Sequence, residues 1–213
     1  LVTTTEITHA TPAGFAASGL KREAAEPIAA QYLDRGVEVL LGGGQKFFDP
    51  KLRKDKRDLR ADYAKQGYSV MTLAAELAAA PKDKPWLGIF ASSHLPFTLD
   101  QRIDAKLKAT VPTLAVMTRR ALEKLGEAEH FILQVEGGRV DHALDAGPGA
   151  HEAVTVTHVA DEPAQPGIVV EFPAHDFLGV FAAGQQADAF AAIGEQAAHQ
   201  GPGHADALAL AAA

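Results

Sequence analysis

Two carboxylates and an imidazole follow a short apolar segment in the second half of the sequence. The run Phe131 to Val135 predicts a buried strand, and it leads directly into Glu136-Gly137-Gly138-Arg139-Val140-Asp141-His142. In open α/β sheets, ligands bind outside the carboxyl ends of the strands. Acidic side chains and a histidine at such a position can ligate hard cations or transfer protons. A polar loop with a solvated Asp141 and His142 accounts for the same spacing, so both interpretations stay open.

A second group of polar residues lies near the start of the chain. The strand-like segment Leu1 to Ile7 is followed by Thr8-His9-Ala10-Thr11-Pro12. In one interpretation Thr11 caps a helix that begins at Pro12. In the other, the Thr11 hydroxyl is an oxygen ligand of a cation and His9 lies close to it. Arg22 stands at a predicted helix start, where it is either a surface charge or a bidentate donor to a phosphate.

The composition limits the kinds of partner and site. The 213 residues are 47% hydrophobic and 22% charged, with a formal net charge of −7, which is an ordinary globular balance. Acids interrupt the basic run Lys51 to Arg57, which favours a solvated helix face over a nucleic-acid patch. No apolar window is long enough for a membrane span. Because cysteine is absent, disulfides and thiolate metal sites are excluded.

Strand-like and helix-like segments alternate along the chain, which predicts an α/β fold with a mostly parallel central sheet and helices on both faces. The predicted helices are 22–35, 51–66, 72–80, 112–125 and 185–199. Besides the first segment, the predicted strands are 37–41, 86–91, 131–135, 154–157, 168–172 and 178–182. Gly42-Gly43-Gly44 closes one of these strands, where a tight turn is favoured over an anion-binding loop.

Six segments, in order and with matching spacing, resemble the alkaline phosphatase family. Val2 to Ala13 resembles the segment that contains a magnesium-ligating threonine, and Lys21-Arg22 matches the position of the phosphate-binding arginine. Val135 to His142 resembles the metal loop. The other three segments are 29–44, 87–96 and 112–121. The resemblance extends to about Ala150 and implies an alkaline phosphatase-like α/β fold.

The resemblance implies a metal-binding role for several residues. Thr11 and Glu136 would bind magnesium, and His9 would lie beside it. Asp141 would ligate one of two zinc ions. Four residues after that aspartate the family has a histidine, whereas this chain has Asp145, which can bind zinc through oxygen.

The same resemblance implies further site residues. Arg22 would hold two oxygens of the substrate phosphate, and His142 would lie near that phosphate. His158 stands in a scrambled counterpart of the family's "T-A-D-H" strand end, and His175 precedes a strand as a later zinc-binding histidine does. Both are therefore predicted zinc ligands.

The family's nucleophile has no counterpart in these residues. Its phosphorylated serine lies in a "D-S-A" motif upstream of "H-A-T-P", and neither that motif nor the strand with the bridging aspartate occurs here. We therefore expect residues 1–213 to be a single but incomplete alkaline phosphatase-like domain. The complete enzyme is expected to hydrolyse phosphate monoesters through a phosphoserine, with two zinc ions and one magnesium ion. The alternative is a catalytically silent metal- or phosphate-binding fragment or relative.

Partners and location are also expectations from the resemblance. They comprise a small phosphate monoester, inorganic phosphate and a second copy of the chain in a homodimer, in the periplasm or outside the cell. Neither nucleic-acid specificity nor membrane association is expected. Expressed by itself, the 213-residue chain is predicted to hydrolyse p-nitrophenyl phosphate no better than buffer that contains the same metals.

Overall fold

The computed structural model describes residues 1–19, 21, 23–139 and the backbone of 178–183. The chain divides into two compact units, 1–120 and 121–213, which are treated separately below. The strands are β1 (Val2–Glu6), β2 (Val39–Gly43), β3 (Ser69–Met71), β4 (Trp86–Ile89), β5 (Phe131–Glu136) and β6 (Leu178–Ala183). The α-helices are α1 (Ala10–Ala16), α2 (Ala25–Asp34), α3 (Leu59–Lys65), α4 (Ala74–Ala78), α5 (Thr98–Ile103), α6 (Ala105–Thr110) and α7 (Leu114–Leu125). A short 3₁₀ turn spans Gln45–Phe47.

A parallel sheet organises the first unit. Its strands lie in the order β3-β4-β2-β1, and each neighbouring pair is parallel. Between β1 and β2 the register shifts, since Val2 is opposite Leu41 but Glu6 is opposite Gly43. The α/β fold with a parallel sheet is therefore confirmed. Because the strands are parallel, the residues that follow β1, β2 and β4 emerge at one edge of the sheet.

Helices cover both faces of this sheet. On one face Leu40 and Leu87 belong to an apolar cluster with Tyr32 of α2 and Tyr63 of α3. Successive strand residues point to opposite faces, so Trp86 faces the other side. There the Arg120 guanidinium of α7 lies 5.6 Å from the Trp86 ring centroid. The predicted placement of helices on both faces is confirmed for this unit.

The basic run 51–57 is not the solvated helix face that the sequence predicts. The helix predicted over 51–66 begins at Leu59, after Asp58 accepts a hydrogen bond from the Ala61 amide. Arg53 is only 2% exposed. Its guanidinium donates to both carboxylate oxygens of Asp55 and to the Phe47 carbonyl. A buried cation needs such partners, and they hold this segment in a non-helical conformation.

Several short elements were not predicted from the sequence pattern. β3 and the helices α5 and α6 have only three to six residues each, which is too short for a periodicity to emerge. Asp104 begins α6 by accepting hydrogen bonds from the Lys106 and Leu107 amides. No helix in the described ranges is long and apolar enough to cross a membrane.

The second unit contains the end of α7 and two antiparallel strands. Phe131 of β5 is opposite Ala183 of β6, and Glu136 is opposite Leu178. Both strands confirm predicted segments within one residue. The predicted strands 154–157 and 168–172 and the predicted helix 185–199 lie outside the residues that the structure describes. Whether 1–213 is one domain stays a prediction.

Candidate active site

Three of the nine predicted site residues fall within the described ranges. They are His9, Thr11 and Glu136. The other six lie outside these ranges, so their placement stays a prediction: Arg22, Asp141, His142, Asp145, His158 and His175. Among the residues with described positions, no group of three or more histidines and acids could hold a metal ion. That search does not reach the predicted zinc ligands.

His9 and Thr11 lie at the turn from β1 into α1. The amide of His9 donates to the Glu6 carbonyl at 2.8 Å, and the helix begins at Ala10 with His9 at the N-cap position. The interpretation of Thr11 as the cap of a helix starting at Pro12 is therefore wrong. Thr11 is the second helical residue, one turn beyond the carboxyl end of β1.

Four residues from three segments meet beside this turn, and we call them the strand-end cluster: Glu6, Lys46, Ser93 and His94. Glu6 ends β1, Lys46 follows β2, and Ser93 and His94 follow β4. The Glu6 carboxylate lies 2.5 Å from Lys46 Nζ and accepts a hydrogen bond from Ser93 Oγ at 2.7 Å. The Glu6 amide donates to Nδ1 of His94 at 3.1 Å.

The strand-end cluster favours the charged form of Glu6. Partial burial alone would raise the pKa of the carboxyl group. Hydrogen bonds from Lys46 and Ser93, with the positive charge of Lys46, outweigh that effect and hold the pKa of Glu6 below its ordinary value. The Glu6 carboxylate is therefore ionised at neutral pH and binds Lys46 and Ser93.

The glycine loop after β2 is a tight turn. Gly44 adopts a left-handed conformation with φ of 100°. Its amide donates to the carbonyls of Ala91 and Ser93, the Gln45 amide to Ala91, and the Lys46 amide to Ser92. These donors are used within the protein, so the anion-binding alternative is not supported.

His9 and His94 pack against each other within this region. Their ring centroids are 5.5 Å apart and the ring planes cross at 83°. Because Nδ1 of His94 accepts a hydrogen bond, its neutral ring carries the proton on Nε2. Sequence reasoning missed the strand-end cluster, although Glu6 lies near the end of one predicted strand and the other three members follow predicted strands. That shared position at the carboxyl ends of strands was the available signal.

Glu136 ends β5 in the second unit and is 4% exposed. A carboxylate at that depth needs a positive partner or a metal ion to offset its lost hydration. Carboxylate and hydroxyl oxygens are also the donors that Mg²⁺ prefers. Glu136 and Thr11 each carry a donor of this kind, and whether they share one ion stays a prediction.

Comparison with known sequences identifies the family. The sequence profile described as alkaline phosphatase matches residues 1–165 of the chain. The chain belongs to the alkaline phosphatase family. Alkaline phosphatase 3 of Bacillus subtilis is 39% identical over 150 residues, which cover 67% of this chain and 30% of that protein. Alkaline phosphatase of Escherichia fergusonii is 32% identical over 182 residues, covering 66% of this chain and 39% of the relative.

Solved structures of alkaline phosphatases agree with the fold. The Thermus thermophilus enzyme is 41% identical, with a TM-score of 0.58, and the match covers 67% of this chain and 29% of that one. A histidine-to-aspartate variant of the TAB5 enzyme, with magnesium bound in its M3 site, is 26% identical with a TM-score of 0.50. That match covers 60% of this chain and 34% of the TAB5 chain.

The shared length is a limited part of the family's domain. The chain spans about a third of the length of the curated relatives that it matches. The family resemblance of the sequence is thereby confirmed, while all of the site assignments, including those of His9 and Thr11, stay predictions. The confirmed part is the parallel frame of β1, β2 and β4.

Proposed function

We propose that the whole protein hydrolyses phosphate monoesters through a metal-assisted phosphoserine mechanism. The observation that carries this proposal is membership of the alkaline phosphatase family over residues 1–165. It is supported by Thr11 and Glu136, hard oxygen donors that each lie at or just beyond the carboxyl end of a strand. The nucleophilic serine would come from a part of the protein outside these 213 residues.

The chain's own residues would bind and orient the phosphate. Arg22 would donate two parallel hydrogen bonds to nonbridging oxygens, which fixes the phosphate and balances the charge that redistributes in the transition state. His142 would lie near the same oxygens. The site would grip the phosphate rather than the leaving group, so a broad range of monoesters would be accepted.

We propose two zinc ions and one magnesium ion as cofactors. Thr11 and Glu136 would hold the magnesium, with His9 beside it. The candidate zinc ligands are Asp141, Asp145, His158 and His175. When bound, the metals supply Lewis-acid stabilisation of the attacking and leaving oxygens. The magnesium-bound TAB5 variant supports the general presence of metal in relatives of this chain.

A second candidate function is a catalytically silent metal- or phosphate-binding relative. The specific observation in its favour is Asp145, which stands where the family's zinc loop has a histidine. A carboxylate in place of an imidazole changes the charge and basicity of a zinc site. Zinc-dependent turnover by the whole protein would exclude this alternative.

The remaining partners are also proposals. We propose a homodimer located in the periplasm or outside the cell, acting on small phosphate monoesters and inhibited by inorganic phosphate. The net charge of −7 gives no support for nucleic-acid binding. Within the described ranges, the absence of a helix that could span a membrane is compatible with that location.

Arg22→Ala in the whole protein tests the proposed site. The loss of a charge-assisted contact should raise the inhibition constant for inorganic phosphate by roughly 10- to 100-fold. Lys21→Ala, which removes the neighbouring exposed cation, is the matched control and should change this constant little. Equal phosphate inhibition in wild type and Arg22→Ala would contradict the assignment, and absence of turnover in metal-loaded wild type would contradict the function.

A further inference from the structure

The loop after β4 binds the end of β1 through three consecutive residues. Ser93 Oγ donates to the Glu6 carboxylate at 2.7 Å, and His94 Nδ1 accepts from the Glu6 amide at 3.1 Å. The Leu95 amide donates to the Thr4 carbonyl at 2.9 Å. Two side-chain contacts and one backbone contact thus fix the register of the loop against β1.

The turn that follows Glu6 is also fixed from the sheet and from α2. The Ile7 amide donates to the Gly43 carbonyl at 3.2 Å. The Ile7 carbonyl accepts a hydrogen bond from the buried Tyr32 hydroxyl at 2.8 Å. The backbone that leads to His9 therefore has little freedom, and the orientation of the His9 ring depends on what the ring contacts.

His94 makes such a contact. Its ring cannot rotate freely, because Nδ1 must face the Glu6 amide to accept that hydrogen bond. In this orientation it meets the His9 ring edge to face at 5.5 Å. Edge-to-face pairs of aromatic rings are a preferred geometry. The β4 loop and the start of α1 are therefore in contact through these two rings.

We propose that His94 is a positioning residue for His9, and through it for the magnesium side of the site. This inference rests on the proposed function, in which His9 lies beside a magnesium ion. His94 itself is not a metal ligand here. It acts through a hydrogen bond to Glu6 and through ring packing on His9. Groups that orient metal-site residues typically change metal affinity by about 10- to 100-fold when replaced.

The test measures magnesium and zinc binding to the whole protein by calorimetry, separately from turnover. His94→Ala should weaken magnesium binding by about tenfold, while zinc affinity and KM at saturating magnesium stay unchanged. His94→Asn can still accept from the Glu6 amide but lacks the ring, so it should keep the fold and still weaken magnesium binding. His130→Ala removes a histidine that is 48% exposed and is not part of the strand-end cluster, and is the matched control.

Each outcome decides the inference. Wild-type magnesium affinity in both His94 variants would overturn it. An equal loss of magnesium and zinc affinity would also overturn it, because it would show a general structural defect. His94→Phe keeps a ring but has no hydrogen-bond acceptor. If this variant binds magnesium as tightly as the wild type, ring packing is the contact by which His94 orients His9. If the wild-type protein binds magnesium but hydrolyses no monoester, the proposed function fails while the affinity measurements still test His94.

Discussion

The Nδ1 atom of His94 accepts a hydrogen bond from the backbone amide of Glu6 at 3.1 Å, although 88 positions separate the two residues. The contact is possible because β4 and β1 belong to one parallel sheet with β2 between them. Their carboxyl ends therefore open at the same edge. The loop residue His94 therefore belongs to the structure around His9 and Thr11, the first of the predicted metal-site residues.

The ion pair between Lys46 and Glu6 should contribute modestly to stability. Lys46→Met removes the main group that lowers the pKa of Glu6, so that pKa should rise toward its ordinary value. The expected loss in unfolding free energy is about 0.5–1 kcal/mol near neutral pH, since Lys46 is partly exposed and solvent screens the pair. Urea unfolding of both proteins measures it.

The pH dependence of that loss has a definite sign. A carboxyl group whose folded pKa is lowered stabilises the fold above its unfolded pKa of about 4.3, and that stabilisation is lost as the pH falls through the folded pKa. The difference between wild type and Lys46→Met should therefore vanish in acid. Lys65→Met, which removes the exposed partner of Asp62, is the control and should cost almost nothing. A difference that persists undiminished at low pH would count against this account.

Gly43 should tolerate no side chain. A Cβ atom built on it would overlap the carbonyl of Ser93, which belongs to the backbone and cannot rotate away. Gly43→Ala is expected to lower the unfolding free energy by about 3 kcal/mol, because overpacking against a fixed neighbour forces the β4 loop to move. Gly14→Ala in α1 meets no atom within 4 Å and should be neutral or slightly stabilising. Equal thermal unfolding midpoints for the two variants would refute the prediction.

Arg53 should be among the most sensitive positions outside the site. Arg53→Met leaves the Phe47 carbonyl without its charged donor and removes the bidentate contact to Asp55, whose pKa is held at about 2 by Arg53 first and by the Arg57 amide second. A loss of about 2–3 kcal/mol in unfolding free energy is expected. Lys54→Met, at the exposed neighbouring position, should cost little in the same measurement. Comparable losses in the two variants would disprove a special role for Arg53.

The order of strands and helices was predictable from local patterns. Apolar runs of five or six residues placed β2, β4, β5 and β6 within one to two residues, because a buried strand needs apolar residues at consecutive positions. Gly36 follows the end of α2 with a φ of 63°, the left-handed conformation that glycine commonly adopts just beyond a helix. Family membership was inferred from short segments in a fixed order. Such segments can be recognised in the sequence without any knowledge of long-range contacts.

Tertiary structure alone decided which polar residues meet. Glu6, Lys46 and His94 come together because β2 lies between β1 and β4, an order that differs from the order along the chain. Arg53 is buried because carbonyls and Asp55 from a folded loop surround it, whereas its charged neighbours suggested a solvated helix. Contacts between distant segments depend on sheet order and register, and a local pattern of residues carries no information about either.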